Sequence, residues 1–269
     1  MRTVVKMIDK KEFLLQSIIK AYIEHLEPIG STQLKSMYDI TYSPATIRGY
    51  FKKLGDEGYL AQEHISSGRT PTTEALKQYW QTKLNFKLKG INLRALEYFA
   101  SNIGLSVFIK KEKSDILKNI LNVEKRYMIL EFSSFAISVK YSDALYRFLN
   151  DMIGLDLKDI TKVSKDVGAY EVYESINQTL QNSDFQIFNY KEFLNLALNY
   201  DFDEYTINSF LKGQILDELT EGLYFDKLLP SNYIGICNYC KINNEDVKML
   251  VIGELPKDYE YFYEKITTF

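Results

Sequence analysis

At 269 residues, with 46% hydrophobic and 26% charged positions, the chain is too long for one minimal domain and has the balance of a globular protein with a real core, which excludes a disordered chain. No window approaches about 18 consecutive apolar residues, and the opening Met1–Asp9 has no apolar core of signal-peptide length, so no membrane association and a cytoplasmic location are expected. The net charge of -3 is unevenly spread: residues 1–84 carry 12 Lys and Arg against 9 Asp and Glu, leaving 21 against 27 for the remainder. A mildly basic front module ahead of an acidic one fits nucleic-acid contact at the front.

Asp9 is placed to cap a helix in which Leu14, Leu15, Ile18, Ile19, Tyr22, Ile23 and Leu26 recur at three- and four-residue spacing. Glu27-Pro28-Ile29-Gly30 ends it, because the residue before a proline avoids helix and glycine relaxes the backbone. Ser31 is predicted to cap a short second helix reaching about Tyr38. Ser43-Pro44 starts a third, with a hydroxyl at the cap and proline in the first turn, running to about Glu57 and stopping at Gly58. A longer helix followed by two short ones across a tight turn is the helix-turn-helix order, with the third helix as the reader of DNA.

Projected at about 100° per residue, the third helix puts Ile47, Tyr50, Phe51 and Leu54 on one side. Ala45, Gly49 and Lys52 point the other way, flanked by Thr46, Arg48 and Lys53, with Ser43 at the start of the same helix. A face with two tiny residues at its centre and cations around it can sink into a major groove, with Arg48 available to guanine or phosphate and Ala45 to a thymine methyl. The plainer alternative is a solvated face with an incidental Gly49, which costs about 1 kcal/mol relative to alanine in mid-helix.

Tyr59-Leu60-Ala61-Gln62-Glu63 alternates like a strand, and His64-Ile65-Ser66-Ser67-Gly68-Arg69-Thr70-Pro71-Thr72 reads as a loop with a basic tip, a wing. Ser66, Ser67 and Arg69 suit phosphate oxygens or a minor groove, and His64 either joins them or packs locally. Thr72 or Thr73 then caps a helix through about Leu84, completing a DNA-binding module over residues 1–84.

From Gly90 the pattern mixes a helix about Leu93–Ile103, strands about Arg126–Phe132 and Phe135–Tyr141, and a helix about Ser142–Gly154. Near the end Tyr233–Cys240 and Val247–Ile252 read as paired core strands before a helix at about Asp258–Ile266, so residues 90–269 are expected to be α+β. Cys237-Asn238-Tyr239-Cys240 is a C-x-x-C, but a structural zinc needs four ligands and only His25 and His64, distant in sequence, remain to help. The apolar run Tyr233–Cys237 puts Cys237 on a strand as a small core residue. With no serine elbow, P-loop or dinucleotide fingerprint, no catalytic residue, metal ligand or cofactor is assigned and no enzyme is expected.

Glu27-Pro28-Ile29-Gly30-Ser31, Ser43-Pro44-Ala45-Thr46-Ile47-Arg48, Glu57-Gly58-Tyr59-Leu60 and His64 to Thr72, in that order, closely resemble successive signatures of the heat-inducible transcription repressor HrcA family. Phe210-Leu211-Lys212-Gly213 and Ile252-Gly253-Glu254-Leu255-Pro256-Lys257-Asp258-Tyr259 are similar to its late segments, whereas Gly49 stands where the family usually has Asn and Gly55 where it usually has Glu. The resemblance implies an α+β multidomain protein, an N-terminal winged helix-turn-helix followed by a GAF-like domain carrying an inserted dimerisation segment at about residues 155–200. It further implies a negative regulator of heat-shock chaperone operons, binding an inverted-repeat operator as a homodimer, with activity modulated by the GroEL chaperonin. The alternative is a winged-helix regulator whose C-terminal domain senses a small ligand or thiol oxidation. A two-fold operator requires a symmetric protein, and 21 Tyr and 16 Phe are enough to furnish that interface and exposed anchors for a chaperonin.

Overall fold

A computed structural model of the chain describes residues 9–62, 64, 67–84, 90–111, 115–180 and 185–268. The front begins with α1 (Lys10–His25), whose first turn is capped by the Asp9 carboxylate accepting from the Lys11 amide, and which ends at Leu26 in the left-handed conformation. α2 (Ser31–Met37) and α3 (Pro44–Asp56) follow, the latter capped by the Ser43 hydroxyl accepting from the Thr46 amide, with Pro44 in its first turn. Ser31 is not the cap of α2: Gly30 occupies that position, its amide donating to Gln33 Oε1, and Ser31 is the first helical residue. β1 (Leu60–Ala61) and β2 (Thr70–Pro71) pair antiparallel, so only two residues of the predicted 59–63 strand enter a ladder. Leu14, Ile18, Ala21, Ile29, Leu34, Ile47, Phe51, Leu54 and Leu60 form one apolar cluster that fastens the three helices to the ribbon.

α4 (Thr73–Lys83) leaves the ribbon with Thr72 as its cap. It is seated by Trp80, which is fully buried, donates Nε1–H to the Leu255 carbonyl at 2.7 Å and meets the Tyr259 ring edge-on at 5.1 Å. Tyr79 donates to Glu260 at 3.0 Å, and Lys77 pairs with Asp226 at 2.7 Å. Next come β3 (Gly90–Ile91), α5 (Leu93–Ile103) and β4 (Ser106–Lys111), then β5 (Leu117–Val123), β6 (Tyr127–Phe132), β7 (Ala136–Lys140), α6 (Asp143–Asn150), α7 (Leu157–Asp166) and α8 (Tyr170–Leu180). The chain closes with β8 (Phe185–Phe188), α9 (Tyr190–Asn199), α10 (Glu204–Leu211), α11 (Ile215–Glu218), β9 (Gly222–Tyr224), β10 (Tyr233–Ile242), β11 (Glu245–Glu254), α12 (Tyr259–Ile266) and β12 (Thr267–Thr268).

The central sheet has the order β12-β3-β10-β11-β4-β8, with β9 also on β10. β10 runs parallel to β3 and antiparallel to β9. Between β10 and β11 the two-residue turn Asn243-Asn244 has both residues at positive φ, 52° and 66°, the type I′ geometry whose twist suits a hairpin. Cys237 and Cys240 both lie on β10 and are buried, and that burial pushes their thiols up to about 11 and about 12.

Two compact units divide the chain, and the division does not fall at the 84–90 linker drawn from sequence. Described residues up to Phe108, with Ile187–Asn244 and from Lys248 onward, form one unit; Ile109–Gln186 with Glu245–Val247 form the other. The inserted unit thus overlaps the expected 155–200 segment but starts at Ile109 and closes at Gln186, taking in the strands at 127–132 and 136–140. Alternating strands look alike in either sheet, and only their long-range partners decide to which unit they belong. No helix among the described residues is long and apolar enough to cross a membrane.

Within the inserted unit β5, β6 and β7 make an antiparallel meander, and its inner face, with Leu117, Ile120, Met128, Leu130, Phe132, Ile137 and Val139, packs on Leu149, Leu157, Ile160, Val172 and Ile176. Asp115 locks this layer. Its buried carboxylate accepts from the amides of Ile116, Ser133 and Ser134 and from the Ser134 hydroxyl, and its own carbonyl accepts from the Leu157 amide. Burial alone pushes the Asp115 carboxyl up, but the hydrogen bonds from Ser134 and Ser133 together hold it below its ordinary value. A carboxyl lowered on folding contributes stability above its unfolded value of about 3.9, and that contribution is lost as pH falls through the folded value. Asp115→Asn is expected to cost about 1–3 kcal/mol in urea unfolding at neutral pH, with a smaller deficit relative to wild type below pH 4.

Candidate nucleic-acid interface

The third helix turns outward the residues the sequence assigned to DNA. Ile47, Phe51 and Leu54 are buried and Tyr50 is half-buried, while Ser43, Ala45, Thr46, Arg48, Gly49, Lys52 and Lys53 are all exposed. The hydroxyls of Ser43 and Thr46 lie 2.9 Å apart and Ser43 also caps the helix, so both are tied into the helix start. Lys53 lies over the Tyr50 ring, 5.7 Å from its centroid, and at the other end Lys10 lies over Tyr42 at 5.6 Å. Arg48 reaches off its own helix, donating from Nη1 to the Ser31 hydroxyl at 3.3 Å. A Cβ built on Gly49 meets nothing within 4 Å, so packing does not demand this glycine.

The ribbon is fixed to the turn after α1 by a contact that no local pattern announces. Ile29 and Arg69 form an isolated antiparallel bridge, each amide donating to the other's carbonyl at 2.9 Å. Gly68 lies against the Pro28–Ile29 backbone, where an added Cβ would come within 2.5–2.6 Å of main-chain atoms. Glu27-Pro28-Ile29-Gly30, read above only as a helix breaker, is therefore also the seat of the loop that presents Arg69. At the loop tip the Ser67 hydroxyl donates to the His64 carbonyl at 2.7 Å and accepts from its amide at 3.1 Å, so Ser67 closes the tip. His64 is exposed and Arg69 half-exposed; Ser66 lies outside the described residues. Sequence reasoning missed Ser31 as a partner of Arg48; its early place in a helix was visible, but the pairing joins residues 17 apart across two helices.

Elsewhere the described residues hold no cluster of three or more His, Cys, Asp or Glu placed for a metal. A cleft lined by Ser106, Glu192, Tyr233, Glu254 and Lys257, among others, encloses about 80 Å³, well short of the roughly 300–1,000 Å³ of ordinary ligand pockets.

A cation-flanked outward helix beside a short ribbon, followed by a mixed sheet interrupted by a second compact unit, defines a multi-part α+β protein. The profile of the HrcA C-terminal domain matches residues 80–269. The heat-inducible transcription repressor HrcA of Helicobacter pylori, in two strains, is 31% identical over 264 residues, covering 97% of this chain and 95% of its own. The same-named protein of Chlorobium phaeobacteroides is 29% identical over 191 residues, 71% of this chain and 53% of its own. This chain belongs to the HrcA family of heat-inducible transcription repressors.

The two glycines give opposite expectations. Gly68→Ala forces the ribbon off Ile29 and is expected to cost about 1–3 kcal/mol in thermal unfolding. Gly49→Ala enters open space and should stabilise the protein by about 0.5–1 kcal/mol. Equal effects of the two substitutions would refute this account of the ribbon's seat.

Proposed function

We propose that this chain is a negative transcriptional regulator of heat-shock chaperone operons, a winged helix-turn-helix protein that binds an inverted-repeat operator as a homodimer in the cytoplasm. In this reading α3 enters the major groove, the β1–β2 ribbon is the wing, and Ser43, Ala45, Thr46, Arg48, Gly49, Lys52, Lys53, His64, Ser66, Ser67 and Arg69 line the contact. The observation that carries it is the outward face of α3, where Ala45 and the open Gly49 are surrounded by Arg48, Lys52 and Lys53. A smooth centre permits close approach to base edges, and the cations neutralise phosphates at the margins. The family relatives named as heat-inducible repressors support the same reading. The rest of the large unit is read as the GAF-like domain, and activity as modulated by the GroEL chaperonin.

Dimerisation is assigned to the inserted unit. The outer face of its meander carries Leu121, Val123 and Tyr127 at 42%, 41% and 51% exposure. The ladder sets Leu121 opposite Ile129 and Val123 opposite Tyr127, so these side chains make one apolar patch, of the kind that marks a protein contact. Thiol sensing is disfavoured because both cysteines are buried and protonated at neutral pH.

Two measurements test the proposal. Titrated against a chaperone-operon inverted repeat and a scrambled duplex of equal length at several salt concentrations, the protein should prefer the repeat by about 10³-fold or more, with steep salt dependence and a gain when chaperonin is added. No preference even with chaperonin present sinks the operator assignment. In sedimentation, the Leu121→Lys, Val123→Lys double variant should run as a monomer at micromolar concentration and bind the repeat at least about tenfold more weakly; an unaltered dimer places the interface elsewhere.

A further inference from the structure

The Arg48–Ser31 hydrogen bond assigns Arg48 a different task from its neighbours on α3, given the helix-turn-helix reading above. An arginine that reads guanine presents two parallel N–H groups to O6 and N7 in the plane of the base. Here Nη1 is already committed to the Ser31 hydroxyl, and the bond draws the guanidinium off the Ala45–Gly49–Lys52 line toward α2. In this class of module the helix before the reader crosses the sugar-phosphate backbone, and Ser31 opens that helix. Ser31 is 9% exposed, so its hydroxyl is held in place by its surroundings, and the hydroxyl hydrogen has no acceptor among the described residues. Arg48 has no other hydrogen bond or ion pair among the described residues, which leaves its remaining N–H groups free. Two donors of fixed separation, one of them charged, suit adjacent oxygens of a single phosphate diester.

We infer that Arg48 and Ser31 form a clamp on one backbone phosphate in each half-site, and that base discrimination lies with the small centre of α3 and with Lys52. Ser31 is the positioning member: it holds the guanidinium and adds a neutral donor.

The test compares wild type with Arg48→Ala, Arg48→Lys, Ser31→Ala and Ser31→Thr on operator and scrambled duplexes across a salt series. Arg48→Ala should weaken both duplexes alike by about tenfold or more, leave their ratio unchanged, and lower the salt slope by about one per half-site. Ser31→Ala should weaken both duplexes by a smaller common factor without changing the slope, and Ser31→Thr should restore wild-type binding. Arg48→Lys should keep the slope and recover only part of the affinity, because a point charge replaces the fork. Ethylation of one phosphate per half-site should impair wild type and leave Arg48→Ala binding unaffected. A collapse of the operator-to-scrambled ratio in Arg48→Ala makes Arg48 a base reader and overturns the clamp, as does wild-type behaviour of Ser31→Ala. The scrambled duplex reads the clamp even if wild type prefers no operator, so failure of the clamp and failure of the proposed function remain distinguishable.

Discussion

Two main-chain hydrogen bonds between Ile29 and Arg69 set the geometry of the front module. They join the turn after the first helix to the base of the ribbon, across a gap so narrow that Gly68 has no room for a methyl group. Ile29 itself is buried in the cluster that holds α1, α2 and α3 together. The ribbon therefore inherits the position of the helices, and Arg69 leaves the backbone from a fixed point. Without that bridge a two-residue ladder would be too short to hold its place, since isolated ribbons of this length are not stable in water.

A second anchor lies one element further on. α4 is continuous with the ribbon through Thr72, whose hydroxyl caps the helix and also donates to the Gly58 carbonyl at 2.8 Å. Its far end is held by Trp80 on Leu255 and by Tyr79 on Glu260, two contacts of different character. The Trp80 bond is buried, where an unmatched indole N–H would be costly; the Tyr79 bond is partly wet. The Ile252–Tyr259 segment, noticed in sequence only as a late resemblance, is thus the counterpart of a helix that begins beside the proposed reader. Gly253 in the same segment is required by packing, because a Cβ there would strike Leu105 and the Tyr259 hydroxyl.

The front module was legible wherever the chemistry is local. Asp9 and Ser43 cap the helices they were expected to cap, Thr72 rather than Thr73 caps α4, and the Ile47, Phe51 and Leu54 stripe of α3 is buried as its periodicity requires. Ser31 misled because serine and glycine are both good caps, and the choice fell to Gly30, with Gln33 accepting from its amide. The bridge at Ile29 and the Arg48–Ser31 pair were hidden because each joins residues far apart in the chain, and neither leaves a period in the sequence. The extent of the second compact unit was hidden for a related reason: β6 and β7 were legible as strands, but their partner β5 and the lock at Asp115 were not, so nothing local assigned them to one sheet. On α3 the exposed face was legible from its periodicity, whereas the bond from Arg48 to Ser31 shows only in what the side chains touch.

Trp80 is the only tryptophan in the chain, and it sits at the joint between α4 and the closing segment. Its indole is dry, hydrogen-bonded and flanked edge-on by Tyr79 and Tyr259. The protein consequently carries an intrinsic optical gauge: loosening of this joint would expose the indole and shift its emission to the red, whereas melting confined to the inserted unit would leave the signal untouched. Heating or chaperone addition can then be followed at one defined place in the molecule without attaching a dye.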